Sequence, residues 1–304
     1  MAHDPQAPIP AIGTPQTPQR DGLKGVVFML AGFFFYSMSD ALAKLLTEDF
    51  PSLQVAWFRQ LGLLVGVVVL LALHGGKILR TRHPFVQFGR GFAAVITVSA
   101  FVTAVTYVPL ADAVAVSFVA PFILTILAAL VLGEYVGIRR WVAVSLGFVG
   151  TLIVIRPGFG IFHPAIFLVL VAAVGFAIRQ ILSRYLSGDD TTATTVAYTG
   201  LTASILLTFT LPFDWVTPES WHSFALIAVM AAVAGIGEFL IIRALEMTQA
   251  VILAPLMYSL MIWSTLWGFL LFADLPDRWT LLGTMIIVGS GLYALYRESR
   301  ANKR

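Results

Sequence analysis

Five ionisable side chains lie inside stretches of sequence that are otherwise almost wholly apolar. They are Asp40, Lys44, Arg59, Arg179 and Glu238. A charge at membrane depth is costly, so such residues usually face a cavity or one another. A desolvated carboxylate could take up and release a proton, and the neighbouring cations could open or close a path. We therefore predict that these five residues serve proton coupling or gating.

The first three of these charges fall near one end of two neighbouring segments. Asp40 and Lys44 are four residues apart, which places them on one face of a helix. Arg59 enters the next segment from the same side, to a depth of roughly 12 Å. The spacing predicts either an ion-pair cluster that ties the first two helices together or an outer gate that rearranges.

The other two charges fall toward the opposite end of their segments. Glu238 could pair with Arg179 or Arg243, or it could bind a proton. Arg179 is expected to snorkel to the membrane interface, the commonest behaviour of such a side chain. The alternative is that it holds a carboxylate of a substrate. Asp40 and Glu238 would lie near opposite membrane faces and would not form an acid–base pair.

A set of polar and aromatic residues within the apolar segments could line a pocket. Ser and Thr in membrane helices often bond only to a backbone carbonyl, and Trp and Tyr often mark the interface. Tyr258 and Trp263, however, fall in the middle of their segment, as expected for the wall of a pocket for a partly apolar substrate. The predicted substrate-binding residues are Tyr36, Ser99, Thr103, Ser117, Phe118, Phe176, Tyr258 and Trp263.

The composition requires a membrane. The chain has 304 residues, of which 59% are apolar and 12% charged, with a mean hydropathy of +0.89. Soluble domains contain about 25% charged residues. The net charge of +3 is too small to indicate nucleic acid. The chain has no cysteine, which excludes disulfides and thiolate metal sites.

Ten apolar segments are long enough to cross the hydrocarbon core, which takes about 20 residues of helix. The sequence thus predicts an all-α integral membrane protein with ten transmembrane helices. The segments are 23–46, 52–73, 86–107, 110–132, 139–155, 163–186, 191–212, 221–243, 250–272 and 278–296.

Orientation follows from the basic residues, which concentrate on the cytoplasmic side. With the N-terminus inside, 15 of the 19 Lys and Arg residues lie at cytoplasmic ends, three at outer ends, and Arg59 within a span. We therefore predict a multi-pass protein of the cytoplasmic (inner) membrane with both termini in the cytoplasm. The proline-rich residues 1–21 form a disordered cytoplasmic tail and 298–304 a basic cytoplasmic tail.

The two halves of the chain repeat one another. Residues 39–49 align with 179–189, and Ala120-Pro121 and Arg140-Trp141 have counterparts in Ala254-Pro255 and Arg278-Trp279. The predicted repeats are 22–158 and 159–297, with five spans each. An odd number of spans inverts the second repeat, which is a recurring transporter plan. The matched prolines 121 and 255 predict bends that flank a central cavity.

Several motifs resemble those of EamA-type proteins of the drug/metabolite transporter superfamily. In the second half these are Ala254 to Tyr258, Phe272 to Pro276, Gly283 and Tyr296-Arg297-Glu298. In the first half they are Pro121, Leu132-Gly133-Glu134, Arg140, Gly147 and Ile155 to Gly158. The resemblance covers about residues 22 to 298. It implies two inverted five-helix repeats, and export of amino acids or other metabolites that is driven by a proton gradient or another gradient.

Enzyme signatures are missing from the sequence. It contains no G-x-x-x-x-G-K-[ST], H-E-x-x-H or G-x-S-x-G motif. We expect that the chain is not an enzyme and that it binds no cofactor and no metal. The expected partners are a small-molecule substrate and the lipid bilayer, and no nucleic acid is expected. The expected oligomeric state is a monomer.

The favoured function is secondary transport by alternating access, most simply the export of amino acids with aromatic or apolar side chains tolerated. The alternatives are export of cationic drugs or import of a nucleotide-linked metabolite. A channel and a non-transport membrane enzyme or scaffold are less favoured, because an inverted repeat serves opening on both sides.

Overall fold

The computed structural model describes residues 19–131, 138–156, 163–186, 189–247 and 254–301, and these ranges contain helices and short connections but no strand. The predicted all-α class is confirmed for them. The tail segments 1–18 and 302–304 and the motif residues 132–134, 157 and 158 lie outside the described residues. The α-helices are α1 (Gln19–Leu46), α2 (Ser52–His74), α3 (Pro84–Val105), α4 (Leu110–Ser117), α5 (Ala120–Val131), α6 (Ile138–Ile155), α7 (Ile166–Leu186), α8 (Thr192–Thr208), α9 (Trp221–Met247), α10 (Ser259–Phe272) and α11 (Arg278–Ala301).

Proline and glycine set several of the helix ends. Pro84 lies in the first turn of α3, and Pro51 and Pro109 directly precede α2 and α4. Proline is tolerated there because the first amides of a helix have no carbonyl partner within the helix. Gly75 ends α2 with a φ of 66°, a conformation that only glycine adopts at no steric cost.

The described helices overlap all ten predicted segments, but they differ in length. By length and apolar composition, α1, α2, α3, α7, α8 and α9 can each cross a membrane. The apolar runs in α4 with α5, in α6 and in α10 are shorter. The chain is therefore a multi-pass membrane protein, and the count of ten spans remains a prediction.

The helices pair across the two halves in a pattern that is unchanged when the halves are exchanged. Helix α1 packs along α9, and its counterpart α7 packs along α3. Helix α2 packs along α8 and α9, and its counterpart α8 packs along α2 and α3. Helix α6 packs along α11. The halves thus form one bundle with pseudo-two-fold pairing.

Small residues allow these pairs to approach closely, as is usual between membrane helices. A Cβ atom added at Gly62 of α2 would lie 1.7 Å from the carbonyl oxygen of Ala231 in α9. One added at Gly150 of α6 would lie 2.8 Å from the carbonyl oxygen of Gly283 in α11. The backbones of both helix pairs are therefore in direct contact at these glycines.

Both matched prolines coincide with an interruption of their helix. Helix α4 ends at Ser117 and α5 begins at Ala120, immediately before Pro121. A 3₁₀ turn, Ala254–Tyr258, contains Pro255, and α10 begins only at Ser259. The predicted span 110–132 is therefore two helices rather than one, because proline cannot continue the backbone hydrogen bonding.

Candidate functional site

A small cavity lies where helices of both halves meet. Its volume is about 20 Å³, counted as the space that the centre of a water molecule can occupy. This is room for roughly one or two waters. The cavity therefore holds no more than one or two water molecules, and a larger cargo requires helix movement. Its lining residues are Tyr36, Arg59, Gln60, Leu63, Ala94, Thr97, Val98, Arg179, Thr199, Ala234 and Glu238.

Asp40 and Arg59 form a tight, buried ion pair beside this cavity. Arg59 Nη1 lies 2.5 Å from Asp40 Oδ1, and the two side chains are 4% and 6% exposed. The guanidinium also lies over the ring of Tyr36, 4.6 Å from its centroid. The predicted ion pair between the first two helices is present.

Lys44 does not take part in that pair, so the expected three-residue cluster is wrong in this respect. Lys44 Nζ lies 3.4 Å from Asp274 Oδ2 and donates to the carbonyl of Val108. The reason is position along α1: Asp40 faces the buried Arg59, whereas Lys44, in the last turn of the helix, reaches the connection between α10 and α11.

Glu238 lies between two arginines. Its Oε1 is 3.5 Å from Arg179 Nη1 and 3.9 Å from Arg90 Nη2. Both distances exceed the about 2.7–2.9 Å of a charge-assisted hydrogen bond, so the carboxylate is shared loosely. The predicted pairing with Arg179 is present, and Arg90 is a second partner that the sequence analysis did not consider.

Arg179 does not snorkel to the interface, which corrects the sequence expectation. It is 9% exposed, and its guanidinium lies 5.3 Å from the ring centroid of Phe176. Seven residues of α7 follow it, which amount to about 10 Å of helix. Glu238 provides an inward counter-ion at that depth. Two of the predicted substrate-binding residues thus contact an arginine: Phe176 lies against Arg179, and Tyr36 lies against Arg59.

The arginines of the cavity have donors to spare. Arg59 Nη2 and Arg179 Nε are buried and have no hydrogen-bond partner. A buried donor left unsatisfied costs about 1–3 kcal/mol, and more when it is charged. Within the part of the chain that the structure describes, Arg59, Arg90 and Arg179 face Asp40 and Glu238, so these three cations and two carboxylates leave one positive charge. The site favours an additional acceptor with a negative charge.

The lining of the cavity follows the internal repeat. Asp49 aligns with Asp189, an offset of 140 residues, and several lining residues pair at the same offset. A cavity built in this way lies between the two halves and belongs to neither. The pairs are Arg59 with Thr199, Ala94 with Ala234, and Val98 with Glu238.

The predicted hydroxyl residues lie outside the lining of this cavity. Ser117 donates to the carbonyl of Ala113 at 2.9 Å. Thr103 shares a hydrogen bond of 2.8 Å with Ser52. The hydroxyl of Ser99 is buried and has no hydrogen-bond partner. A substrate role for these three residues stays a prediction.

The remaining predicted residues are aromatic and form contacts around α10. Phe118 and Tyr258 meet edge to face with 5.4 Å between ring centroids. Phe34 of α1 contacts Trp263 at 5.2 Å and Trp267 at 5.4 Å. The indole N–H groups of both tryptophans are buried and without a partner, which is unusual because buried indoles normally donate a hydrogen bond.

On the predicted outer side, the end of α6 is joined to the start of α11. Arg156 Nη2 lies 2.7 Å from Asp277 Oδ2, and Asp277 Oδ1 accepts from the Thr280 backbone N–H at 2.8 Å. Partial burial opposes ionisation of Asp277, but hydrogen bonds from Thr280 and Arg156 outweigh it and hold its pKa below the usual value. Thr280 also donates to Asp112 at 2.8 Å. These contacts connect the halves.

On the predicted inner side, the start of α3 is joined to the connection between α7 and α8. His83 Nε2 lies 3.0 Å from Asp189 Oδ2. Asp190 Oδ2 accepts from Thr81 at 2.6 Å and from Gln87 at 2.8 Å. The two halves are therefore held together by polar contacts at this end as well.

A second, larger cavity lies near the predicted outer ends of the helices. Its volume of about 480 Å³ falls within the range of roughly 300–1,000 Å³ that small-molecule sites occupy. It has a polar wall that includes Thr103. Other residues in that wall are Thr47, Ser52, Thr210 and Asp214.

Arg90 is the main functional candidate that sequence reasoning missed. It is 3% exposed and donates to Ser183 at 2.6 Å and to Thr199. Because it lies close to the start of the predicted segment 86–107, Arg90 counts among the basic residues at cytoplasmic ends in the prediction of orientation. The signal was a polar stripe on α3 in which Gln87, Arg90 and Thr97 share one helix face.

The match to a family decides the class of protein. The model of the EamA-like transporter family matches residues 23–156 and, a second time, residues 163–296. The chain belongs to the EamA-like transporter family. The two matches establish a two-repeat fold, and the EamA assignment makes the chain a membrane transporter rather than an enzyme. Among the described residues, no group of His, Asp and Glu could hold a metal ion.

Relatives of this EamA protein carry different molecules. The chain is 27% identical to an S-adenosylmethionine uptake transporter of Rickettsia felis, over 93% of this chain and 96% of that protein. It is 26% identical to a pseudopaline exporter of Pseudomonas aeruginosa, over 87% and 93%. It is 28% identical to a riboflavin transporter of Vibrio cholerae, over 93% and 96%. Small-molecule transport is common to them, whereas cargo and direction vary.

The fold of this EamA protein has also been seen by crystallography. A solved crystal structure that is 19% identical superposes with a TM-score of 0.67 and covers 92% of this chain and 99% of that one. At this identity the likeness concerns the fold alone.

Proposed function

We propose that the chain is a secondary transporter that exports amino acids across the cytoplasmic membrane by alternating access. The observation that carries the proposal is the central cavity, which lies between the two repeats and presents both signs of charge. A zwitterionic amino acid has a carboxylate for Arg59 or Arg179 and an ammonium group for Glu238. Buried charged groups of a transporter commonly mark such a substrate path.

Alternating access requires contacts that open in turn on the two sides. In this proposal ten spans form two inverted five-helix repeats, with both termini in the cytoplasm. Lys44 with Asp274 closes the outer side, and His83 with Asp189 closes the inner side. The conformation with the small central cavity corresponds to the occluded state between these two openings. The cavity of about 480 Å³ near the outer ends is the vestibule.

Uptake of S-adenosylmethionine is a second candidate. The relatives of Rickettsia named for this activity match nearly the whole chain. S-adenosylmethionine has an α-amino-acid group, so it suits the same charged site. Its adenine ring needs an aromatic surface and hydrogen-bond donors, which Phe34, Trp263 and Trp267 offer through ring faces and free indole N–H groups. Export of cationic drugs is less favoured, because a drug without a carboxylate offers no acceptor to the free N–H groups of Arg59 and Arg179.

Counterflow in proteoliposomes distinguishes the two candidates. Vesicles with purified protein are loaded with unlabelled L-leucine, L-phenylalanine or S-adenosylmethionine, and uptake of the labelled compound is followed with and without a pH gradient. The proposal expects exchange of the amino acids, and protein-free vesicles serve as the control. Exchange of S-adenosylmethionine alone would identify it as the cargo in place of the amino acids, and exchange of none of the three would refute both candidates.

Cysteine labelling tests the proposed orientation, because the chain contains no cysteine. Lys77 and Glu219 are both exposed, in connections at opposite ends of the bundle. We expect Glu219→Cys to react with an impermeant maleimide on intact cells and Lys77→Cys to react only after permeabilisation. The cysteine-free parent gives the background. The reverse pattern would place the termini outside.

A further inference from the structure

We propose that Arg59 and Arg179 together bind a carboxylate group of the cargo, which takes the place of Glu238 on Arg179. The proposal rests on the proposed function, since it names the group by which the cargo of that transporter is held. It assigns the contact to two specific side chains and gives Glu238 the role of a displaceable counter-ion.

The first support is the set of free donors. Both arginines line the same cavity. Arg59 uses Nη1 for Asp40, and its Nη2 is buried without a partner. Arg179 uses Nη1 for Glu238, and its Nε is buried without a partner. A guanidinium presents five N–H donors in a planar fork that matches a carboxylate. Each arginine therefore has a further N–H with which to bind an anion.

The second support is the way in which the arginines are held. The ring of Tyr36 lies under Arg59 and the ring of Phe176 under Arg179, and such contacts stabilise a guanidinium beside an aromatic face. One arginine comes from α2 in the first repeat and the other from α7 in the second. A carboxylate bound to both would therefore connect the two repeats and stabilise the occluded state.

The balance of charge selects the group. Three arginines and two carboxylates leave one positive charge at the cavity. A carboxylate placed against Arg59 and Arg179 balances this charge where it lies, whereas an ammonium group alone would raise the charge and a phosphate dianion would reverse it. An uncompensated charge in a low-dielectric interior is costly in free energy.

The geometry of the two acidic residues indicates which of them gives way. Asp40 holds Arg59 at 2.5 Å. Glu238 is 3.5 Å from Arg179 and 3.9 Å from Arg90, so it has no close hydrogen bond to either guanidinium. Cargo can replace the loose contact of Glu238 with Arg179 while Arg90 still balances the glutamate. The freed side of Glu238 then faces an ammonium group on the same cargo.

Matched ligands test the carboxylate directly. Binding to the purified full-length protein in detergent is followed by tryptophan fluorescence and by thermal stabilisation. L-phenylalanine is compared with L-phenylalaninamide, and S-adenosylmethionine with its decarboxylated form. We expect loss of the carboxylate to weaken binding about tenfold or more, the size that follows from loss of a hydrogen bond to a charged group. Equal binding within each pair, or no stabilisation by any carboxylate-bearing compound, would overturn the proposal.

Variants test the residues and separate binding from structure. Arg179→Lys keeps the charge and loses the fork, and we expect it to weaken binding of the carboxylate ligand about tenfold. Arg80→Lys, at an exposed position, is the control and should bind as the parent does. Glu238→Gln removes the competing anion and should bind 3-phenylpropionate, a carboxylate without an ammonium group, more tightly. A glutamate that served only structure would give weaker binding in this variant, and that result would contradict the displacement.

The outcomes also separate this inference from the proposed function. If L-phenylalanine and its amide exchange equally in proteoliposomes, the transporter stands and the carboxylate contact is wrong. If neither exchanges nor binds, and S-adenosylmethionine behaves alike, the proposed function fails and the inference with it.

Discussion

Replacing Asp40 by Asn is expected to destabilise the protein by about 3–5 kcal/mol, the usual cost of breaking a buried ion pair from one side. The amide cannot balance the charge of Arg59, whose side chain is 4% exposed and whose Nη2 already has no partner. A water in the adjoining cavity, which Arg59 lines, carries no charge and so does not replace the lost carboxylate. Thermal unfolding of the purified protein in detergent, followed by tryptophan fluorescence, measures the effect.

Asp274→Asn is the matched control, because it removes the same group from another ion pair of α1. Asp274 is 42% exposed and lies 3.4 Å from Lys44, and pairs of this kind contribute about 0–1 kcal/mol. The double variant Asp40→Asn with Arg59→Gln removes both charges of the pair, so it adds no uncompensated charge to the site and should recover much of the stability lost in the single variant. Equal losses for Asp40→Asn and Asp274→Asn would contradict the difference in burial between the pairs.

The helices could be predicted from the sequence because their causes are local. Long apolar runs specify membrane helices, and proline and glycine separate them. The interruption before Pro121 follows from the same chemistry, although the split of one predicted span into α4 and α5 was not foreseen. The number of spans does not follow from length alone, since short apolar runs such as the one in α6 do not reach full membrane length.

The pairs Asp40 with Arg59 and Glu238 with Arg179 could be predicted because so few charges lie within apolar segments. Each buried charge needs a partner, and the choices were limited. The contacts of Lys44 and the burial of Arg179 could not be predicted. They depend on how α1 and α7 are rotated against other helices, and residue spacing within one helix does not determine that rotation.

The internal repeat proved more informative about the site than the individual polar residues. The alignment of Asp49 with Asp189 has an offset of 140 residues, and the same offset relates Arg59 to Thr199 and Ala94 to Ala234 in the cavity wall. A cavity between equivalent helices can open to either side through equivalent movements. The predictions for the hydroxyl and aromatic residues rested on residue type and on position along a segment, and neither indicates which side of a helix faces the centre.

Replacing Gly62 by Ala is expected to be strongly destabilising, although it adds a single methyl group. The new Cβ atom would lie 1.7 Å from the carbonyl oxygen of Ala231 and 2.5 Å from its carbonyl carbon. These are backbone atoms of α9, which cannot turn aside as a side chain can. The two helices must move apart, and overpacking of this kind costs about 1–3 kcal/mol or more. Thermal unfolding in detergent measures the loss.

Gly66→Ala is the control, four residues further along α2, where an added Cβ atom meets nothing within 4 Å. At an open helix position alanine is favoured over glycine by roughly 0.5–1 kcal/mol, so the same substitution should have no cost or a small benefit there. The opposite sign at Gly62 would then report the backbone contact between α2 and α9. Because α2 holds Arg59 and α9 holds Glu238, their separation should also weaken ligand binding at the cavity. An unchanged melting temperature in Gly62→Ala would show that these helices do not approach so closely.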